Sequence, residues 1–124
     1  MLLQDLEEGS ALRVFGQEIR DFIKELDATI DDQPLDQPKY HVVRRGSSHF
    51  LTFKFVGKKA RKFPQHSLVL YLPWSDSICS IPQIQDDPDG WHGGRCAVLW
   101  ARPGQGEIAR QFIRLAYENE RQVH

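Results

Sequence analysis

The stretch His49-Phe50-Leu51-Thr52-Phe53-Lys54-Phe55-Val56 decides the fold that this chain of 124 residues predicts. Its apolar residues alternate along the chain, which is the pattern of a β-strand with two different faces. Alternation places one set of side chains on a strongly apolar face: Leu51, Phe53 and Phe55. The opposite face then receives Phe50, Thr52, Lys54 and Val56.

Three further strands are predicted around this one. Residues 40–44 form a short strand that turns at residues 45–48, and residues 67–72 and 95–101 form two more. In the third strand Leu68, Leu70 and Leu72 share a face opposite Val69 and Tyr71. Residues 31–38 and 73–94 are rich in Pro, Gly and Asp, so they predict a turn and a long irregular connection.

Helices are predicted on both sides of the strands. The first carries apolar residues at three- and four-residue spacing, follows a candidate N-cap at Ser10 and ends before residue 31. Its interior Gly16 indicates a close packing contact or a later start. The second spans about residues 107–121. The inward-facing residues are Leu12, Phe15, Ile19, Phe22, Ile23 and Leu26 in the first helix, and Ile108, Phe112, Leu115 and Ala116 in the second.

These elements predict a single α+β domain over residues 1–124, in the order α-β-β-β-β-α. Short connections make the strands antiparallel neighbours, so we expect an antiparallel sheet of about four strands. Both terminal helices would pack on the face that carries the leucines and phenylalanines. The face with Phe50, Lys54, Val69 and Tyr71 would then be open.

Short motifs occur in a characteristic order along most of the chain. They are Tyr40, Arg44-Arg45-Gly46, Phe50, Phe53, Leu68-Val69-Leu70-Tyr71-Leu72, Gly90-Trp91-His92-Gly93 and Ala116-Tyr117-Glu118. In these features the chain resembles a small bacterial family of domains of unknown function, which are sometimes attached to predicted nuclease-like or predicted transport proteins. The resemblance implies an α+β fold and no established activity. The nuclease association favours nucleic acid as a partner, although this chain carries no nuclease domain.

Charge is distributed in three blocks. Residues 1–36 carry ten acids and three bases, residues 37–75 carry eight bases and no acid, and residues 76–124 carry seven acids and five bases. The net charge of −1 therefore hides a basic middle between acidic flanks. The eight bases are Lys39, Arg44, Arg45, Lys54, Lys58, Lys59, Arg61 and Lys62.

This basic block predicts a non-catalytic binding module for nucleic acid or another polyanion. All of these cations except Lys39 would contact phosphates, while Phe50 and Tyr71 would offer stacking surfaces for bases. Two alternatives stay open. The cations can simply protect a sheet edge from aggregation, or the acidic flanks can pair with them. Pairing within the chain would involve Asp5, Glu7, Glu8 and Asp27, and pairing between chains would give a protein-interaction module or a homodimer.

Residues 86–94 form a second candidate region. Tyr40, Trp91 and His92 are candidates for a loop that binds a small ligand or serves an enzyme, although Asp-Pro-Asp-Gly is also a strong turn sequence. The three aspartates lack the spacing of an EF-hand, and neither cysteine has metal-ligand spacing, so we predict no metal site. Cys79 and His92 carry no nucleophile signature around them, and Cys96 is predicted in the core. We therefore assign no catalytic residue and no cofactor.

No apolar run approaches the roughly 20 residues of a membrane span. The acidic beginning of the chain lacks the positive region of a secretory signal. We therefore expect a cytoplasmic protein with reduced thiols and no contact with a membrane.

Overall fold

The structure is a computed structural model that describes residues 1–35, 39–57, 65–75, 84–91 and 94–123. A short 3-10 turn at Leu3–Asp5 precedes the first helix. The helices of the described chain are α1 (Ala11–Leu26) and α2 (Gly106–Val123). Its strands are β1 (Ile30–Leu35), β2 (Tyr40–Arg45), β3 (Ser48–Val56), β4 (Ser67–Pro73), β5 (Gln85–Trp91) and β6 (Gly94–Ala101).

All the strands form one antiparallel sheet in the order β1-β2-β3-β4-β6-β5. The predicted α+β class is confirmed, with six strands in the described residues instead of about four. The additional strands, β1 and β5, are the two edges of the sheet and contain Pro34 and Pro88. Proline is tolerated at an edge because its missing N–H is not needed there for pairing. β1 and β5 therefore form although their composition is typical of turns.

Both helices contact one face of the sheet and also contact each other. The predicted N-cap is confirmed, since the Arg13 N–H donates to Ser10 Oγ at 3.2 Å. Gly16 marks a close packing contact, because a Cβ at that position would lie 2.6 Å from Cζ of Phe55. The hydrophobic core between the helices and the sheet contains Phe15, Ile19, Ile23, Leu51, Phe53, Phe55, Leu68, Leu70, Leu72, Phe112 and Ile113.

Phe50 is not on the predicted face. In the ladder between β2 and β3, Val43 pairs with Leu51 and Arg44 pairs with His49, so Phe50 is the extra residue of a β-bulge. The bulge sends Phe50 into the core, where it is 2% exposed and lies 6.1 Å from the ring of Tyr117 on α2. Simple alternation from Phe53 back to Phe50 was therefore wrong.

The face away from the helices, called the second face below, is not open as predicted. Val69 is fully buried, and it forms a small apolar cluster with Val56, Cys96 and Val98, against which Tyr71 packs. The prediction that Cys96 is in the core is confirmed. The second face therefore holds a second, smaller core.

The segment before α1 lies across the end of β3. Met1 exchanges two backbone hydrogen bonds with Phe55, Met1 N to Phe55 O at 2.8 Å and Phe55 N–H to Met1 O at 2.9 Å. Within this segment, the side chains of Leu2, Leu3 and Leu6 are buried. Neither helix of the described chain combines the length with the apolar character that crossing a bilayer requires.

Candidate functional site

Half of the basic block lies in the described residues. Lys39 directly precedes β2, Arg44 and Arg45 end it, and Lys54 lies in β3. Lys58, Lys59, Arg61 and Lys62 belong to the connection between β3 and β4, called the basic loop below, and lie outside the described residues. The His66 N–H donates to Gly57 O at 3.2 Å, so the two described ends of this connection are held together.

An acidic residue approaches each cation at the β2 end of the block. Lys39 Nζ lies 3.6 Å from Asp5 Oδ2, and Arg44 is opposite Asp31 in the ladder between β1 and β2. Opposite charges in directly paired positions attract each other. At this end of the basic block, neighbouring acids therefore offset much of the positive potential.

Asp27, at the end of α1, is the acidic neighbour of Arg45. The Thr29 N–H contributes most to the low pKa of this carboxyl, followed by hydrogen bonds from the Tyr117 and Thr29 hydroxyls, while Arg45 contributes electrostatically. Together they lower the pKa of Asp27 to about 2. The Tyr117 hydroxyl donates to Asp27 Oδ2 at 2.7 Å, so this carboxylate also joins the two helices.

Lys54 lies between two tyrosine rings on the second face. Its Nζ is 5.4 Å from the centroid of the Tyr40 ring and 5.7 Å from that of Tyr71, which are cation–π distances. The two rings meet edge to face, with their centroids 6.0 Å apart. Burial raises the pKa of the Tyr71 hydroxyl, and Tyr40 and Asp87 raise it further. Tyr71 is thus partly enclosed, and it is a poorer stacking surface than the sequence predicted.

An exposed aromatic ring lies in the same row of the sheet. Lys54 pairs with Val69, and Val69 pairs with Trp100 of β6, so Lys54 and Trp100 are two strands apart on the second face. With strands about 4.8 Å apart, their backbones are about 10 Å from each other. Trp100 is 36% exposed and therefore offers its ring to solvent, whereas the ring of Phe50 is enclosed in the core.

A buried polar network lies on the helix side of the sheet. Asp32 of β1 accepts a hydrogen bond from Arg20 Nε at 2.5 Å and lies 3.2 Å from His41 Nδ1. Burial raises the pKa of Asp32, but the hydrogen bonds from His41 and Arg20 outweigh it, and the pKa is lowered. The carboxylate is therefore ionised inside the protein.

His41 completes this network and links it to the first residues of the chain. The Leu3 N–H donates to His41 Nε2 at 3.0 Å, so Nε2 carries no proton and Nδ1–H donates to Asp32. The ring is 1% exposed and stacks on Phe53 with centroids 4.4 Å apart. A histidine and aspartate pair invites a catalytic interpretation, but both ring nitrogens are occupied. The arrangement is that of a structural histidine.

The candidate ligand loop is described only in part. Tyr40 packs beside Lys54 and Tyr71, and Trp91 ends the strand β5, while His92 and Cys79 lie outside the described residues. A cleft of about 650 Å³ opens elsewhere, beside the start of α1, and Tyr40 does not line it. Nowhere in the described ranges do three His, Cys, Asp or Glu residues come together in a way that could hold a metal ion.

Sequence reasoning missed the Arg20–Asp32–His41 network and the buried segment before α1. The network depends on a contact between a helix and two strands, which no local motif encodes. The leucines at positions 2, 3 and 6 were a usable signal, because such a run before an N-cap is typical of a segment that packs on the core.

Comparison of the chain with protein-family models, with curated proteins and with solved structures finds no match. The family resemblance drawn from the order of short motifs therefore stays a prediction.

Proposed function

We propose that this chain is a non-catalytic binding module for an anionic polymer, with single-stranded nucleic acid as the first candidate. The observation that carries the proposal is the charge distribution, since residues 37–75 contain eight cations and no acid. Cations spaced along a chain neutralise successive phosphates and release counterions, which drives binding of nucleic acids.

The contacting residues are a narrower set than the sequence predicted. Acids approach Lys39, Arg44 and Arg45, so these three would add little to binding. The basic loop and Lys54 carry the remaining five positive charges of the block. In the proposed complex the basic loop contacts phosphates, and Lys54 contacts a phosphate at the edge of the second face.

Trp100 takes over the stacking role that the sequence assigned to Phe50. An exposed ring two strands from Lys54 suits a base that is not paired in a duplex, because every base offers an apolar face to an aromatic ring. This contact favours single strands over duplexes, whose bases are already stacked on each other.

A titration of the chain with a fluorescent single-stranded oligonucleotide over a series of salt concentrations tests the proposal. We expect the logarithm of the association constant to fall with the logarithm of the salt concentration, with a slope of about −3 for four to five contacted phosphates on a single strand. Absence of binding at low salt would overturn the proposal.

Native mass spectrometry of the same samples distinguishes polyanion binding from the alternative, which is self-association of the chain. A dimer that dissociates as salt is raised, from a protein that does not bind the oligonucleotide, would instead assign the basic loop to self-association. A monomer that binds the oligonucleotide supports the polyanion module.

A further inference from the structure

The cleft beside the start of α1 is partly open to solvent and plays no part in the proposed polyanion site. Its volume of about 650 Å³ lies within the range of roughly 300–1,000 Å³ that is typical of small-molecule sites. The N-terminal segment forms one wall, the first turn of α1 forms the floor, and the ends of β3 and β6 approach from the other sides.

Apolar groups make up most of the lining. Leu6 comes from the N-terminal wall and Leu12 from the floor, while Gly57 and Pro103 lie on the other sides. Both leucines are buried in the fold, so the apolar floor is held in place by the main core rather than by a loose surface segment. A preformed apolar surface of this kind binds the hydrocarbon part of a ligand.

Acidic groups stand at the rim. Asp5 accepts a hydrogen bond from the Leu2 N–H at 2.9 Å, which is the main cause of its lowered pKa, and Lys39 partly offsets its charge. Glu7 is exposed, and its backbone carbonyl accepts the Ser10 N–H. Glu7 is therefore an exposed acidic residue among those that line the cleft.

His66 also lines the cleft. Its backbone has φ of 55°, in the left-handed region that few residues other than glycine adopt. Its hydrogen bond to Gly57 holds it there. The cleft thus combines an apolar floor with an acidic rim.

We propose that this cleft binds a small molecule with an apolar body and a positively charged amine. The apolar body lies against Leu6, Leu12 and Pro103, and the amine lies near the carboxylate of Glu7. Charge complementarity sets the sign of the ligand, while the apolar floor supplies most of the affinity.

An NMR titration of the full chain tests this proposal with two probes of similar shape and opposite charge. Tryptamine carries an ammonium group on an indole, and indole-3-acetate carries a carboxylate on the same ring. We expect tryptamine to shift the backbone amide signals of Leu6, Leu12 and Gly57, and indole-3-acetate to shift them much less. Four cations follow Gly57 in the sequence, and positive charge near the cleft would favour an anionic ligand instead. The comparison of the two probes therefore measures which sign of ligand charge the cleft accepts.

Two pairs of variants provide matched controls. Glu7→Gln should weaken tryptamine binding by about two- to fivefold, the size expected for an exposed ion pair, while Glu8→Gln removes the same charge outside the cleft and should change little. Ala11→Phe fills the cleft and should abolish the shifts, whereas Ala28→Phe adds the same ring at an exposed position away from it.

Three results would overturn the proposal. They are tryptamine leaving the three amides unshifted, indole-3-acetate binding more tightly than tryptamine, and Glu8→Gln weakening binding as much as Glu7→Gln. The last comparison uses surface substitutions that leave the core intact, so it remains decisive if Ala11→Phe does not fold.

Discussion

The two faces of the sheet receive alternate residues of the same strands but are completed in different ways. On the helix side, α1 and α2 cover a continuous core and enclose an ionised carboxylate that binds Arg20 and His41. On the second face, a cluster of four small apolar residues is bordered by Lys54, two tyrosines and an exposed tryptophan. The helix side of the sheet holds the main core, and the second face has a border of charged and aromatic side chains.

The difference lies in how positive charge is handled. The guanidinium of Arg20 packs within the fold, where the carboxylate of Asp32 compensates its charge. This positive charge therefore contributes to the stability of the protein. Lys54 instead lies between the rings of Tyr40 and Tyr71 on the second face, at cation–π distances from both. In the proposed complex, a partner carrying phosphates would meet this lysine beside two aromatic rings at the border of the second face.

The helix-side network gives the largest expected effect. Asp32→Ala would leave Arg20 and His41 without their shared anion, and removing one partner of a buried pair costs about 3–5 kcal/mol in the free energy of unfolding. Urea denaturation measures this. Asp31→Ala, the exposed neighbour, should change stability by less than about 0.5 kcal/mol. Equal effects of the two variants would show that the network is not a stabilising unit.

The next prediction compares neighbouring residues on opposite faces. Leu70→Ala on the helix side should cost about 2–5 kcal/mol in the free energy of unfolding, because it leaves a cavity in the main core. Val69→Ala removes fewer carbon atoms from the second face and should cost about 1.5–3 kcal/mol. Urea denaturation of both variants provides the comparison. A loss below about 0.5 kcal/mol for Val69→Ala would mean that the second face is open in solution.

Gly16→Ala tests how closely α1 approaches the sheet. A methyl group there meets the Phe55 ring at 2.6 Å, so we expect overpacking to destabilise the protein by about 1–3 kcal/mol. Helix propensity alone predicts the opposite sign, a gain of about 1 kcal/mol. Thermal unfolding decides the sign, and a stabilised variant would contradict the close contact.

The smallest expected effect is on the stability of the protein at low pH. The pKa of Asp27 is about 2 in the folded protein, below its ordinary value, so its contribution to stability is present near neutral pH and is lost as the pH falls toward 2. Asp27→Asn should be less stable than the wild type at about pH 6, and the difference should shrink between about pH 4 and pH 2. Melting curves across this range provide the test, and a difference that grows on acidification would contradict the assignment.

The fold class was predictable because the apolar periods of the helices and central strands are long and regular. The edge strands were not predictable, because β1 and β5 are rich in Asp, Gln and Pro. They form strands only because β2 and β6 offer them hydrogen-bonding partners. Phe50 was misplaced for a related reason. A bulge shifts the alternation by one residue, and no turn residue marks it in the sequence.

The candidate site was predictable in its charges but not in their surroundings. Counting residues located the basic block, and the alternative of pairing within the chain named Asp5 and Asp27, but it did not name Asp31, the ladder partner of Arg44. The exposure of Trp100 was not predictable, because it depends on what packs nearby. Contacts between distant segments decide both questions.

The most direct test of the proposed function is charge reversal in the basic loop. Lys58→Glu/Lys59→Glu should weaken binding of a single-stranded oligonucleotide at low salt by at least about tenfold and reduce the steepness of the salt dependence. Lys24→Glu/Arg102→Glu makes the same change in net charge at exposed positions outside the block and should retain most of the affinity and the slope. Equal losses in the two double variants would contradict a site on the basic loop, and so would unchanged binding after the loop reversal.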